Sequence, residues 1–212
     1  MRRHFIRIAW AAALALAFGL PPAGAAESRT ILVVGDSLSA EFGLPRGSGW
    51  VALLENKLAA EKIAARVVNA SISGDTTAGG RARLPALLKT HQPAVVVIEL
   101  GANDALRGLP LDATEANLAA MTRAAQQAGA KVLLAGMQMP PNYGADYNRR
   151  LQELFARVAR ASDAALVPFL LKGVADRPDA LAWFQPDRIH PTAEAHPTIL
   201  ANIWPDLQRL LK

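Results

Sequence analysis

The chain has 212 residues, no cysteine and a formal net charge of +5 at pH 7. The absence of cysteine excludes disulfides, thiol catalysis and cysteine-ligated zinc. Three of the 23 Lys and Arg residues lie among the first 25 residues, which leaves 20 basic against 18 acidic residues, a net charge of +2. Without a run of basic residues, this surplus does not favour nucleic-acid binding or stable electrostatic binding to membranes.

The first stretch of the chain predicts an export signal. Three arginines precede an apolar segment over residues 8–20, and the small residues at 23–25 fit a signal-peptidase cleavage site. The apolar segment is shorter than the roughly 20 residues that span a membrane as a helix. We therefore predict a signal peptide over residues 1–25, with an uncleaved anchor as the alternative. One folded domain is expected over residues 26–212, in a periplasmic or secreted protein.

Five short apolar runs predict the strands of a sheet. They are apolar almost without interruption, as strands buried on both faces are. In chain order, these predicted strands occupy residues 30–35, 65–70, 94–101, 130–137 and 164–169. Segments with helical periodicity lie at residues 48–63, 113–128, 146–161 and 193–211. This alternation predicts an α/β fold, a three-layer α/β/α sandwich around a five-stranded parallel sheet with right-handed crossovers.

Two local signals mark the ends of the second predicted helix. Asp112 and Glu115 have the spacing of a capping box at its start, and Gly129 is placed to stop it as the residue after the C-cap. We therefore expect this helix to begin with a side-chain cap and to end at a glycine turn.

Small polar and titratable residues follow four of the predicted strands. In chain order they are Gly35, Asp36 and Ser37, then Asn69, Ser71, Ser73, Gly74 and Asp75, then Gly101, Asn103 and Asp104, and finally Asp187 and His190. Ligands of open parallel sheets bind beyond the carboxyl ends of the strands. The sequence therefore predicts a functional site at this edge of the sheet.

Two serines near the first strand are candidate nucleophiles. Ser37 lies where the strand passes into a turn, whereas Ser39 is expected to cap a helix or to face solvent. Acyl transfer also needs hydrogen-bond donors for the developing oxyanion. Gly74 can supply a backbone N–H and Asn103 a side-chain N–H, although each residue alone is also typical of an ordinary turn.

One of the histidines after the signal segment has the setting of a general base. A serine nucleophile needs a base, and the base needs a third group to orient it. Asp187 precedes His190 by three residues, so its carboxylate can reach Nδ1 while Nε2 faces a serine. Taken alone, this pair is more typical of a surface loop that ends at a proline and carries a helix-capping Asp. His91 is predicted in a solvated turn, and His196 in a capping or packing role.

Four ordered blocks resemble the SGNH, or GDSL, hydrolase family. They are GDSLS at 35–39, SISGDT around Gly74, GAND at 101–104 and DRIHP at 187–191. The resemblance extends over nearly the whole chain after the signal segment. Within the family it is closest to small bacterial periplasmic acyl-CoA thioesterases/lysophospholipases and arylesterases, through NASISGDT, RLPALLKTHQP and MPPNYGADYN.

The resemblance implies a flavodoxin-like SGNH hydrolase fold and a serine esterase without cofactor or metal. It implies a catalytic triad of Ser37, His190 and Asp187, with an oxyanion hole formed by Ser37, Gly74 and Asn103. By the same resemblance, Asp36 and Asp104 are supporting residues, the 104–110 loop is a mobile lip of the substrate cleft, and Leu106, Met139, Pro140 and Tyr143 contact substrate. Two positions depart from the family pattern: Arg188 and Ala102 stand where relatives often have glycine.

The substrate class stays open at this point. Aryl esters, short or medium acyl esters and lysophospholipids are the leading candidates, and acyl thioesters are the alternative. A non-catalytic lipid- or glycan-binding module is the hypothesis of a different class. The chain has no G-x-G-x-x-G or G-x-x-x-x-G-K-[ST] motif for nucleotides, and the Asp187–His190 pair has no second His at metal-ligand spacing. We expect a monomer that acts on a small ester or lipid, with at most transient contact with a membrane surface.

Overall fold

A five-stranded parallel sheet forms the centre of the molecule. The computed structural model describes residues 29–212, so the predicted signal peptide lies outside the described residues. The strands are β1 Arg29–Gly35, β2 Ala65–Asn69, β3 Val95–Glu99, β4 Lys131–Ala135 and β5 Ala165–Val167. Their order is β2-β1-β3-β4-β5, and every pair is parallel. The predicted five-stranded parallel sheet is confirmed.

Helices cover both faces of this sheet. They are α1 Trp50–Ala60, α2 Thr77–His91, α3 Ala102–Leu106, α4 Leu111–Gln127, α5 Ala145–Ser162 and α6 His196–Leu210. Helices α1 and α6 pack together on one face, whereas α2, α4 and α5 pack side by side on the other. Among the described residues, no helix is long and apolar enough to cross a membrane. The result is the predicted three-layer sandwich.

The two central strands carry the core and set the level of the site. Ile31–Val34 of β1 and Val95–Ile98 of β3 are almost entirely shielded from solvent. Apolar side chains on both faces of these strands therefore explain their unbroken apolar sequence. The register pairs Gly35 with Glu99, the last residues of β1 and β3. Polar side chains begin at this level.

Helix α2 was not predicted from the sequence, because its interior contains two glycines and Pro85. It begins after Thr76, whose hydroxyl accepts a hydrogen bond from the N–H of Gly79. Gly80 permits close packing: a Cβ at this position would lie 2.3 Å from a methyl carbon of Leu100. Tertiary packing therefore outweighs the low helix propensity of these residues.

The ends of α4 agree only in part with the predicted capping signals. The helix begins at Leu111, after Pro110, and no side chain caps its start. The predicted capping box is therefore wrong: Asp112 lies inside the first turn, and Glu115 pairs with Arg157 on α5. The glycine stop is confirmed, because Gly129 has φ +86° and the N–H of the following residue bonds back to the helix, as in a Schellman motif.

Candidate active site

Ser37, His190 and Asp187 form a continuous chain of hydrogen bonds at the carboxyl edge of the sheet. Ser37 lies in the turn that follows β1, and its Oγ is 2.9 Å from Nε2 of His190. The other ring nitrogen, Nδ1, is 2.6 Å from Oδ2 of Asp187. The arrangement places a hydroxyl, a base and an orienting carboxylate in the order that nucleophilic catalysis requires.

The segment from Asp187 to His190 folds into a tight turn around the Asp187 carboxylate. Its Oδ1 accepts the backbone N–H groups of Ile189 at 2.9 Å and of His190 at 3.0 Å. Although partial burial raises the pKa of Asp187, these bonds and the contact with the His190 ring lower it to about 2. Arg188 adopts φ +58°, a left-handed conformation in which glycine is the least strained residue. The turn therefore forms with arginine at this position.

Phe42 packs against the imidazole of His190, a contact that was not predicted. The two ring centroids are 4.3 Å apart and the rings are tilted by 35°. The carbonyl of Phe42 accepts a hydrogen bond from Nε2 of Gln185, which also donates to the carbonyl of Pro191. Gln185 therefore joins the loop after β1 to the loop that carries His190.

Gly74 occupies a tight turn beside this chain of hydrogen bonds. The N–H of Asp75 bonds to the carbonyl of Ile72 at 3.0 Å, and Gly74 has φ +79°. A positive φ at the third position is typical of a type II turn and favours glycine there. Within residues 29–212, the N–H groups of Gly74 and Ser37 donate to no protein acceptor. Both donors are free to bind another group.

Asn103 lies in the short helix α3, directly after β3, where no helix was predicted. Its Nδ2 donates one hydrogen to Oδ2 of Asp36 at 2.9 Å, which leaves the second amide hydrogen for another acceptor. The other carboxylate oxygen of Asp36 accepts the N–H of Leu38 at 3.0 Å. Burial raises the pKa of Asp36 to about 6, an effect larger than the lowering by these two hydrogen bonds. Asp36 therefore orients the Asn103 amide.

Asp104, the second predicted supporting residue, joins three helices. Its carboxylate accepts hydrogen bonds from the N–H and the hydroxyl of Thr77, the first residue of α2. It also accepts the hydroxyl of Thr114 on α4 at 3.3 Å. Asp104 is buried, so these donors replace the water that an exposed carboxylate would bind. The contacts fix α3, and Asn103 with it, against the rest of the fold.

A buried network beneath Ser37 was missed by the sequence analysis. Oε2 of Glu99 accepts the hydroxyl of Ser39 at 2.7 Å and the N–H of Asp36 at 3.3 Å. Trp50 donates its indole N–H to the same hydroxyl. Burial raises the pKa of Glu99 well above its usual range, and the nearby charge of Asp36 adds to this effect. Ser39 is thus buried in the network, and the expectation that it faces solvent or caps a helix is wrong.

The signal for this network was a single carboxylate in an apolar run. Glu99 ends the sequence VVVIE, in which every residue is buried. A Cβ on Gly35 would lie 2.7 Å from Oε2 of Glu99, so glycine is also required at the end of β1. An isolated buried acid at a strand end is a sign of such a polar cluster.

Comparison with known proteins identifies the family. A sequence model of the GDSL-like Lipase/Acylhydrolase family matches residues 33–197. The chain belongs to this family. The prediction of an SGNH, or GDSL, hydrolase is therefore confirmed, as is the flavodoxin-like SGNH hydrolase fold.

Three relatives illustrate the similarity within the GDSL family. Esterase TesA of Pseudomonas aeruginosa is 53% identical over 88% of this chain and 91% of its own length. Thioesterase 1/protease 1/lysophospholipase L1 of Escherichia coli is 42% identical over 88% of this chain and 87% of its own length. The crystal structure of the psychrotrophic esterase EstA from a Pseudoalteromonas species, inhibited by monoethylphosphonate, has a TM-score of 0.80 at 39% identity, covering 86% of this chain and 98% of that one.

The four residues proposed to contact substrate lie in two segments of this GDSL family member. Leu106 ends α3 and is half-buried, and Met139 is almost fully buried at 7% exposure. Pro140 is exposed, and Tyr143 packs near Tyr147 with ring centroids 6.3 Å apart. Their role in binding substrate stays a prediction.

The two other histidines within residues 29–212 make no hydrogen bond to Ser37. His91 is the last residue of α2 rather than part of a turn. His196 begins α6 and is buried, and its Nδ1 accepts the N–H of Trp50, the first residue of α1, at 2.9 Å. The predicted capping or packing role of His196 is confirmed.

Proposed function

We propose that the protein hydrolyses carboxylic esters through an acyl-enzyme formed on Ser37. The observation that carries the proposal is the unbroken hydrogen-bond chain from Ser37 through His190 to Asp187. Membership of an acylhydrolase family supports the same chemistry. A non-catalytic binding module would have no use for a base placed 2.9 Å from an accessible hydroxyl.

Acylation begins with proton transfer from Ser37 to His190. Nε2 of His190 takes the proton from Oγ as Oγ attacks the acyl carbon, and the ester C=O becomes a tetrahedral oxyanion. The Asp187 carboxylate accepts a hydrogen bond from the Nδ1–H group and stabilises the imidazolium that forms. The intermediate collapses as the bond to the alcohol oxygen breaks, and Nε2 returns its proton to that oxygen. The products of this half-reaction are a free alcohol and the acyl ester of Ser37.

Three donors are proposed to stabilise the oxyanion: the N–H groups of Ser37 and Gly74 and the free amide hydrogen of Asn103. We propose that all three are positioned before substrate arrives, so that little reorganisation accompanies the charge that develops in the transition state. Asp36 and Asp104 act through Asn103, because one orients its amide and the other fixes the helix that carries it.

Deacylation repeats these steps with water as the nucleophile. His190 accepts a proton from water, whose oxygen attacks the acyl carbon, and the same donors hold the second oxyanion. Collapse releases the carboxylic acid and restores the proton to Ser37. Each cycle therefore consumes one ester and one water and yields one acid and one alcohol.

Aryl esters, short or medium acyl esters and lysophospholipids are the substrates that we propose. Relatives named as esterases support the oxygen esters, and the relative named thioesterase 1/lysophospholipase L1 supports lysophospholipids and keeps thioesters as a second candidate. Leu106, Met139, Pro140 and Tyr143 are proposed to line the acyl side. The signal-like residues 1–25 support export, and an exported monomer would meet lipid esters more often than acyl-CoA.

Replacement of Ser37 tests the proposal. Ser37→Ala is expected to lower kcat/KM for p-nitrophenyl butyrate at least about 10⁴-fold, because the nucleophile is lost. Ser39→Ala is the matched comparison: Ser39 donates to Glu99 and is not bonded to His190, so this variant should keep turnover well above the Ser37→Ala background. Equal activity of Ser37→Ala and the wild type would refute the assignment.

A further inference from the structure

Arg107 makes a hydrogen bond that joins two loops at the candidate active site. It follows the last residue of α3, and its Nη2 donates to the carbonyl oxygen of Gly74 at 2.7 Å. The side chain is exposed, and within residues 29–212 it is not paired with a carboxylate. An exposed arginine without an acidic partner that instead bonds one backbone carbonyl calls for a specific role.

The bonded carbonyl belongs to the residue whose N–H is a proposed oxyanion donor. The turn around Gly74 is fixed on either side: Ile72 donates its N–H to Gly35, and the carboxylate of Asp75 pairs with Arg83 at 2.8 Å. Neither contact involves the carbonyl of Gly74. Glycine has the greatest backbone freedom of all residues, so its two peptide planes need separate restraints.

Arg107 also belongs to the segment that carries the second proposed donor. Its backbone N–H bonds to the carbonyl of Asn103 at 3.1 Å, within the last turn of α3. The buried contact between Asp104 and Thr77 joins the same two segments, but it acts three residues beyond Gly74. Arg107 is therefore the contact that ties Gly74 itself to the helix of Asn103.

We propose that Arg107 is a positioning residue of the oxyanion hole, which holds the Gly74 peptide so that its N–H and the Asn103 amide converge on one oxygen. This inference rests on the proposed function. The guanidinium lies directly beside Gly74, since a Cβ on Gly74 would be 3.5 Å from Nη2 of Arg107. Without this hydrogen bond, the Gly74 peptide rotates more freely. Ordering it in the transition state then costs free energy, whereas in the wild type it is already ordered.

Arg107→Met removes the donor and keeps most of the side-chain length. It is expected to lower kcat for the neutral ester p-nitrophenyl butyrate about tenfold and to leave KM within about twofold, because the contact acts in the transition state. Arg107→Lys keeps a cationic donor and should lie within about threefold of the wild type. Arg81→Met is the matched control, because within residues 29–212 exposed Arg81 bonds the side chain of Asn117 on α4 and makes no hydrogen bond to Gly74 or Asn103; its kinetics should equal those of the wild type.

The Gly74 amide provides a readout that does not depend on turnover. Protein labelled with ¹⁵N-glycine is prepared in the Ser37→Ala background, and the backbone order parameter of Gly74 is measured by NMR relaxation. Arg107→Met is expected to lower this order parameter, whereas Arg107→Lys and Arg81→Met should leave it near the starting value. Gly129, in its helix-ending turn, is an internal reference.

Two results would overturn the inference. One is an unchanged Gly74 order parameter in Arg107→Met. The other is an unchanged kcat with a raised KM that is seen only for anionic esters. The second result would make Arg107 a substrate contact. If the wild type hydrolyses no ester, the proposed function fails, but the Gly74 measurement still decides whether Arg107 orders this peptide.

Discussion

Asp36 is a buried carboxylate between the candidate nucleophile and the Asn103 amide. It is 1% exposed, and burial raises its pKa to about 6. The ionised form is the better acceptor for the amide of Asn103, so the group that orients a proposed oxyanion donor is costly to keep charged inside the fold. Ionisation of Asp36 therefore favours the orientation of the Asn103 amide but lowers the stability of the folded chain.

Asp36→Asn should separate these two effects. The folded chain binds the Asp36 proton more tightly than an unfolded Asp of pKa 3.8 does, so this group lowers the free energy of unfolding as pH rises from about 4 to about 6. The variant lacks that loss. Relative to that of the wild type, the free energy of unfolding of Asp36→Asn, measured in urea, is expected to rise by up to about 3 kcal/mol between pH 4 and pH 7.5. Its kcat should fall about tenfold, because Asn103 loses a charged acceptor. Parallel stability profiles for the two proteins would contradict this account.

At the scale of elements, the start of α1 depends on a side chain from α6. Most helices begin with a polar residue of their own as N-cap, but Gly49 precedes α1 and supplies no side-chain bond. Nδ1 of His196 takes this role for the N–H of Trp50. Because Nδ1 must stay unprotonated to accept, the packing of α1 against α6 is linked to the charge of a histidine. Burial lowers the pKa of His196 to about 4, which keeps the ring neutral in the folded chain.

His196→Gln tests this link. A folded-state pKa below the ordinary 6.5 means that His196 contributes its full stabilisation above about pH 6.5 and loses it as pH falls towards 4. The wild type should therefore lose up to about 3 kcal/mol more than the variant over this range. The measurement is urea unfolding at pH 7 and pH 4.5, with His91→Gln as control. A variant with the same pH dependence as the wild type would show that His196 does not act in this way.

At the scale of the whole molecule, the strands were predicted well because their signal is local. A strand buried on both faces is apolar along its length. All five strands were found, and no predicted end lies more than two residues from the observed end. Helix α2 had no such signal, since Gly79, Gly80 and Pro85 interrupt its pattern and its stability comes from packing. The predicted capping box of α4 was wrong for the opposite reason: the spacing of the motif was present, but no cap forms, and Glu115 pairs with Arg157 on α5 instead.

The candidate site divides in the same way. The blocks that carry Ser37, Gly74, Asn103 and the Asp187–His190 turn could be read from the sequence, because each is a short local motif. Contacts made by residues outside these blocks could not be predicted. Glu99 lies 60 residues from Ser39 in sequence, and Arg107 lies 33 residues from Gly74, so only the folded chain brings these pairs together.

The identity of the nucleophile is the claim on which the account depends, and covalent labelling tests it directly. Ethyl p-nitrophenyl methylphosphonate reacts with an activated serine: the Oγ–P bond forms, p-nitrophenolate leaves, and His190 takes the serine proton. Intact-mass and peptide mass spectrometry should show one adduct per chain, located on Ser37, in the wild type and none in Ser37→Ala. An adduct on Ser39, or equal labelling of Ser37→Ala, would contradict the assignment of Ser37 as the nucleophile.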